Sequence, residues 1–143
     1  MEEILISDSD IQTREIAARL ISTLDSGTTI CLYGDLAAGK TTFAQGIAYA
    51  LGIKRLTSPT FIIMREYPVT SSVFSRLFHL DLYRLHSPEE IKAFDLDEIT
   101  SDTKNLVLIE WPDRIEKILP KKRIDIYFQE IGDNKREIKI IRK

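Results

Sequence analysis

The sequence predicts an α/β fold in one domain over residues 1–143, and three observations carry the prediction. A short run of β-forming apolar residues, Thr29 to Tyr33, enters a loop bounded by Gly34 and Gly39, and a helical apolar pattern begins directly after it. Further strand-length apolar runs alternate with helix signals along the rest of the chain, as in a sheet covered by helices. A chain of 143 residues buries one core of ordinary size and is too short for two.

The elements follow in order. Ser9 and Gln12 stand at the spacing of a capping box, and Ile16, Ala17, Leu20, Ile21 and Leu24 then recur at helical intervals, so an amphipathic helix starts here. Thr41 to Leu51 carries Phe43, Ala44, Ile47, Ala48 and Leu51 on one side, with Gly52 placed to end the helix. Phe61 to Tyr67 and Phe74 to Tyr83 read as two strands joined by a polar turn through Pro68, Thr70, Ser71 and Ser72. Ser87, Pro88 and Glu90 supply an N-cap, a proline at the first helical position and a capping glutamate, and predict a short helix. Leu106 to Ile109 is an apolar run of the buried-strand type ending in Glu110, and a helix is expected from Asp113 to Leu119, stopped by Pro120. Arg123 to Ile131 and Lys135 to Ile141 alternate apolar and polar residues around Gly132-Asp133-Asn134, which predicts a hairpin.

Composition removes several function classes. Apolar residues at 43% and charged residues at 29% match the usual globular balance, so neither a disordered chain nor a membrane protein is expected. No apolar run approaches the roughly 18 residues that span a bilayer, and acidic Glu2 and Glu3 stand where a signal peptide is basic, so a cytoplasmic location is expected. The single cysteine, Cys31, has no partner for an internal disulfide and lies in an apolar run, where a thiol is inert. A net charge of -2 argues against nonspecific nucleic-acid binding, which depends on basic side chains neutralising phosphates. Lysine and arginine still outnumber acids from Lys117 to Lys143, and that surplus reads as a sheet edge defended by solvated lysines.

The chemistry lies in the glycine loop. Gly34-Asp35-Leu36-Ala37-Ala38-Gly39-Lys40-Thr41 matches the P-loop pattern G-x-x-x-x-G-K-[ST] at every fixed position, between a strand and a helix as that pattern requires. Glycines let such a loop curl so that backbone N–H groups from Gly34 to Thr42 face phosphate oxygens, and the following helix adds its positive end. The expected ligand is ATP with magnesium. Lys40 is expected to direct its charge at the outer phosphates and not into the core, and the Thr41 hydroxyl is the first magnesium ligand. Glu110, at the end of a buried strand, stands where the carboxylate that holds the metal and its waters belongs. His79 and Asp81 alternate with Phe78, Leu80 and Leu82, so they share one strand face, either turned toward the nucleotide or as the polar side of a half-exposed strand. Thr60, in Ser58-Pro59-Thr60-Phe61, falls where switch loops present a hydroxyl to a γ-phosphate. Asn134-Lys135-Arg136-Glu137 approximates a guanine-reading pattern, but it has glutamate for aspartate and lies in the hairpin, so it is read as a coincidence. Trp111, the only tryptophan, directly follows Glu110 and is expected to report on that strand end.

Together these blocks resemble one family, the TsaE-type P-loop ATPases, also called YjeE, which act in making threonylcarbamoyladenosine in bacterial transfer RNA. The resemblance rests on the loop from Gly34 to Phe43, Ser58-Pro59-Thr60-Phe61, His79-Leu80-Asp81-Leu82-Tyr83-Arg84-Leu85 and Leu108-Ile109-Glu110-Trp111, in that order, and extends from about Ile6 to Ile141. It implies a three-layer P-loop NTPase-like fold with a mixed parallel and antiparallel sheet flanked by helices. It further implies a slow, partner-dependent ATPase using ATP and magnesium. The implied partners are the threonylcarbamoyl transferase subunit (TsaD-like) and its inactive paralogue (TsaB-like), with transfer RNA met only through that complex and no membrane involved. By the same resemblance Thr41 and Glu110 hold magnesium, Asp81 helps arrange the metal or attacking water, and Ser9 lies near the adenine. The chain departs from the family at Ala37, where glycine is usual, a position the P-loop pattern leaves free. Two other readings compete with this one: a small P-loop kinase, for which Gly52 to Asp81 leaves little room for a lid or acceptor site, and a nucleotide-gated binding module without turnover.

Overall fold

The computed structural model describes residues 1–35, 38–57 and 63–143. Its strands are β1 (Glu2–Ser7), β2 (Thr28–Tyr33), β3 (Met64–Pro68), β4 (Arg76–Asp81), β5 (Asn105–Glu110), β6 (Ile124–Gly132) and β7 (Lys135–Arg142). Its α-helices are α1 (Asp10–Ser22), α2 (Lys40–Ala50) and α3 (Leu96–Ser101), and Pro88–Ala93 and Pro112–Ile118 form 3₁₀ segments. The strands make one sheet in the order β1-β7-β6-β2-β5-β4-β3. Neighbours within β6, β2, β5 and β4 run parallel, whereas β1 with β7, β7 with β6, and β3 with β4 are antiparallel. The expected mixed sheet is therefore present, with its parallel strands in the middle.

The unbroken apolar runs explain this placement, because strands that read without alternation are covered on both faces. Ile30, Cys31 and Leu32 of β2 and Leu106 to Ile109 of β5 are all buried. On one face Ile16 and Leu20 of α1 and Phe43 and Ile47 of α2 pack with Ile30, Leu32, Leu106 and Leu108. On the other, Ile91, Leu96, Ile115 and Leu119 pack with Cys31, Leu80, Val107 and Ile109. Alternation within each strand thus decides which of its residues face α1 and α2, and that parity places the functional side chains.

Several expectations are corrected. The hairpin of β6 and β7 is not at the sheet edge, because the unanticipated strand β1 pairs with β7 over six positions from Glu2↔Ile141 to Ser7↔Arg136. Nor are the basic residues there simply solvated. Arg123 Nε lies 2.9 Å and Lys143 Nζ 3.3 Å from the two carboxylate oxygens of Asp125, which is fully buried. The helix expected from Asp113 to Leu119 is a 3₁₀ segment broken at Ile115 (φ -131°, ψ 33°). Ser9 does cap α1, accepting from Gln12 N–H at 3.1 Å, but the Gln12 side chain accepts from Asp8 N–H and not from Ser9. Cys31 is buried beside Asp125, and burial pushes its thiol up to about 12, consistent with an inert core residue.

α1 and α2 approach each other closely at Gly46. A methyl group there would lie 2.8 Å from the Arg14 carbonyl oxygen and 2.9 Å from Ala17 Cβ, and the Arg14 backbone cannot swing aside as a long side chain could. A larger residue gains a few tenths of a kcal/mol in helix propensity, whereas overpacking costs about 1–3 kcal/mol. Gly46→Val should therefore lose about 2 kcal/mol of stability in urea unfolding. An unchanged or raised midpoint would show that the two helices do not meet as closely as Gly46 requires.

Candidate functional site

Parallel strands carry ligands beyond their carboxyl ends. Here β2, β5 and β4 end side by side, with Leu32 opposite Glu110 and Glu110 opposite Asp81 in the sheet register. His79, Asp81 and Glu110 share strand parity with Leu77, Leu106 and Leu108, which face α1 and α2. Glu110 and the neighbouring β4 pair are thus brought to the face on which α2 begins.

The loop between β2 and α2 uses its glycines for close approach. Gly34 has φ +144°, and a methyl group on it would meet the Phe128 carbonyl oxygen of β6 at 2.9 Å. Gly39 has φ +104° and stands at the N-cap of α2, where no side chain caps the helix. The N–H groups of Lys40, Thr41 and Thr42 in the first turn of α2 lack intrahelical partners, as at any helix start. Thr41 is exposed and Thr42 half-buried, Asp35 is exposed, and Ala38 is buried with its N–H donating to Asp35 O at 3.0 Å. Leu36, Ala37 and Thr60, named among the expected ligand-contacting residues, lie outside the described residues, as does the rest of Ser58 to Phe61.

Lys40 stands at the first position of α2. Its side chain is buried, only 2% exposed, and Nζ has no hydrogen-bond acceptor among the described residues. The ammonium lies 3.7 Å from the centroid of the Trp111 ring. Such a contact is worth about 2 kcal/mol when desolvated. Trp111 adopts a left-handed backbone (φ 60°, ψ 49°) directly after β5, and this reversal brings the indole to Lys40 at the start of α2, with the Tyr83 ring tilted against the indole at 5.1 Å between centroids. A non-glycine residue held there costs of order 1–3 kcal/mol. Burial lowers the Lys40 pKa, and the carboxylates of Glu110, Asp81, Asp113 and Asp35 pull it back up. The result is a charged amine surrounded by negative charge yet bonded to none of it.

Glu110 and His79 make the tightest polar contact of the site, Nε2 to Oε2 at 2.7 Å, with both residues buried. A carboxylate only accepts, so the shared proton sits on Nε2, and Nδ1, which has no partner among the described residues, carries none in the neutral ring. His79 thereby orients Glu110. Asp81 is half-buried, and its Oδ1 accepts from the Tyr83 N–H at 3.1 Å. Desolvation raises the Asp81 pKa, the Tyr83 N–H opposes that rise, Glu110 adds to it, and His79 and Lys40 oppose it. Of the two arrangements the sequence left open for His79 and Asp81, the half-exposed polar side does not hold for His79, which is buried. Ser9 is engaged as the α1 cap, on the flank of the loop away from Glu110. Sequence reasoning missed Arg136 of β7, which packs against Gly39, although its proximity has no local signal in the chain.

A family model described as threonylcarbamoyl adenosine biosynthesis protein TsaE matches residues 7–138. The chain is 39% identical over 128 residues to the tRNA threonylcarbamoyladenosine biosynthesis protein TsaE of Bacillus subtilis, covering 89% of this chain and 77% of that one. It is 34% identical over 142 residues to the protein of the same description from Aquifex aeolicus, covering 97% of this chain and 96% of that one. The crystal structure of Bacillus subtilis YdiB superposes with a TM-score of 0.80 at 33% identity, over 98% of this chain and 84% of that one. With the family model spanning nearly all of the chain and relatives above 30% identity along most of it, this protein belongs to the TsaE family of tRNA threonylcarbamoyladenosine biosynthesis.

Proposed function

We propose that this chain binds ATP with magnesium at the Gly34–Thr42 loop and hydrolyses it slowly. We further propose that it does so as the ATPase component acting with a threonylcarbamoyl transferase subunit and that subunit's inactive paralogue. The observation that carries the reading is the buried ammonium of Lys40 at the start of α2, which has no hydrogen-bond acceptor among the described residues. An amine whose charge is desolvated but not hydrogen-bonded is under-satisfied, and a phosphate brought to the uncapped first turn of α2 supplies the missing acceptors.

The surrounding residues fit the same ligand. Thr41 offers an exposed hydroxyl at the helix start, and Glu110 offers a carboxylate whose orientation His79 holds, so these two residues would hold magnesium. The ion would neutralise charge between the β- and γ-phosphates. Asp81, in register beside Glu110 and with its pKa raised, is placed to orient a water or to carry a proton. Lys40 exchanges the face of Trp111 for phosphate oxygens. That exchange frees the indole and alters its surroundings.

Two experiments test the reading. In the protein without nucleotide, Trp111 emission should change on raising the pH with a midpoint below the ordinary lysine value of 10.5, because burial favours the neutral amine, and Lys40→Met should abolish the change. A midpoint at or above that value, or an identical titration in Lys40→Met, would mean that the ammonium does not sit over the ring. By calorimetry, Lys40→Ala should remain folded and lose at least about ten-fold in ATP affinity, since a hydrogen bond to a charged group contributes about 1.5–3 kcal/mol. Adding ATP should change Trp111 emission in a magnesium-dependent way, and Glu110→Gln should shrink that change. Turnover by the protein alone should stay below about one per minute, as expected for a P-loop ATPase that lacks an arginine supplied by a partner. Equal ATP affinity in Lys40→Ala would end the P-loop reading, and phosphate transfer to an added metabolite would replace the ATPase by a kinase.

A further inference from the structure

The outer surface of the two long helices carries a second concavity, separate from the glycine loop. A groove of about 620 Å³ lies between α1, α2 and the segment that follows α2, and none of Lys40, Thr41, His79, Asp81 and Glu110 lines it. Its apolar lining comes from Ile11 and Ala18 of α1, Gly46 and Tyr49 of α2, and Ile53 and Leu56. Gly46 has no side chain and Ala18 a single methyl, so a hollow is left among the larger residues. Ile11 is 64% exposed and Tyr49 80% exposed. Single exposed apolar residues are ordinary on a protein surface, but an aliphatic and an aromatic residue bordering one apolar hollow are what a partner anchors on. The backbones of α1 and α2 already meet at Gly46, where a methyl group would lie 2.8 Å from the Arg14 carbonyl oxygen, so the groove is formed before anything occupies it.

The charges about the groove are unbalanced. Arg14, Lys54 and Arg55 line it against one carboxylate, Glu15, in a chain whose net charge is -2. None of the three cations takes part in an ion pair among the described residues. Arg14 and Glu15 are successive residues of a helix and so do not face each other. A positive rim around an apolar hollow is complementary to a segment with apolar residues on one face and carboxylates on its flanks. A helix supplies that pattern compactly, because residues at i, i+3, i+4 and i+7 align its anchors with acids on either side. A nucleic acid fits less well, since its phosphates call for a continuous basic track, whereas here three cations share the rim with Glu15 and the lining is apolar.

We propose that the α1–α2 groove docks an acidic amphipathic helix of a partner protein. Apolar side chains of that helix enter the hollow between Ile11 and Tyr49, and its carboxylates meet Arg14, Lys54 and Arg55. From Ile11 to Ala18 α1 rises about 10 Å, so the hollow takes about two turns of the partner helix, a small contact of the transient class. Docking requires no nucleotide, since the residues that fit phosphate and metal lie outside the groove.

Nuclear magnetic resonance titration of the isotope-labelled full chain tests this with two synthetic helical peptides. Both carry Leu and Phe on one face, one with Glu on its flanks and the other with Lys in the same places. The acidic peptide should shift the amides of Ala18, Gly46 and Tyr49, bind at least about ten-fold more tightly than the basic one, and weaken as salt is added. Lys54→Glu combined with Arg55→Glu should weaken the acidic peptide about ten-fold and strengthen the basic one, and Tyr49→Ser should weaken both. Tyr49, Lys54 and Arg55 are all exposed, so these variants keep the fold and the parent's ATP affinity. Unshifted groove amides in the parent, or equal binding of the two peptides, would overturn the proposal. So would a single-stranded RNA oligonucleotide that binds the groove more tightly than the acidic peptide, which would make it a nucleic-acid surface. A concentration-dependent dimer of the parent that Tyr49→Ser abolishes would likewise overturn it, by making a second copy of the chain the occupant.

Discussion

The buried ammonium of Lys40 is the constraint around which the site is arranged. Moving an ammonium out of water costs several kcal/mol even after the protein relaxes, and one cation–π contact of about 2 kcal/mol does not offset that alone. The remainder comes from the carboxylates of Glu110, Asp81, Asp113 and Asp35, whose fields favour the charged form without bonding to it. The balance still leaves the pKa below that of an exposed lysine, so burial outweighs the combined attraction. A site in this condition gains more from an added anion than one whose lysine is already paired. The Trp111 ring excludes water from Nζ while leaving its hydrogen-bonding capacity unspent.

That arrangement exists because of sheet topology. Glu110, Asp81 and the P-loop come from chain segments far apart in sequence and meet only because β2, β5 and β4 are parallel neighbours with ends in register. Strand parity then selects which residues face α2. His79, Asp81 and Glu110 lie on the α2 face, whereas Phe78, Leu80, Val107 and Ile109 fill the opposite one. A shift of one residue in the β4 and β5 register would bury the carboxylates among the apolar side chains and expose the latter to the loop. The apolar core therefore fixes the geometry of the polar site through the register it imposes.

Much of this was legible in the chain because it is local. The strand and helix that flank the glycine loop, the strand ending in Glu110 and the β6–β7 hairpin all carry their signals within about ten residues, and each recurs in the fold. The elements that escaped have weak local signals. β1 is a short, acidic strand whose identity depends on pairing with β7, at the far end of the chain. α3 spans only six residues and is capped by Asp95, so it lacks the two turns that would show helical periodicity. The segment from Pro112 to Ile118 has helical composition but breaks at Ile115, whose side chain is buried against the lower face of the sheet. The site was legible as residue types and not as geometry. Nothing local announces that His79 bonds Glu110, that Trp111 reverses its backbone to cover Lys40, or that Arg136 reaches Gly39. Each is a contact across the sheet, made by a topology the sequence pattern only narrows.

The antiparallel half of the sheet has its own task. β1, β7 and β6 add no carboxylate to the Glu110 flank, yet β6 sets the close approach at Gly34 through the Phe128 carbonyl, and β7 delivers Arg136 to Gly39. Ser7, Thr13 and Asp10 then link β1 and the first turns of α1 to that arginine through one directed series of hydrogen bonds and an ion pair. Arg136 Nη1 thus meets both Asp10 and Thr13 of α1, and α1 in turn meets α2 closely at Gly46. One line of contacts therefore runs from Gly39 through the β7 arginine to α1 and on to α2, tying the antiparallel half of the sheet to the helix that begins at the glycine loop.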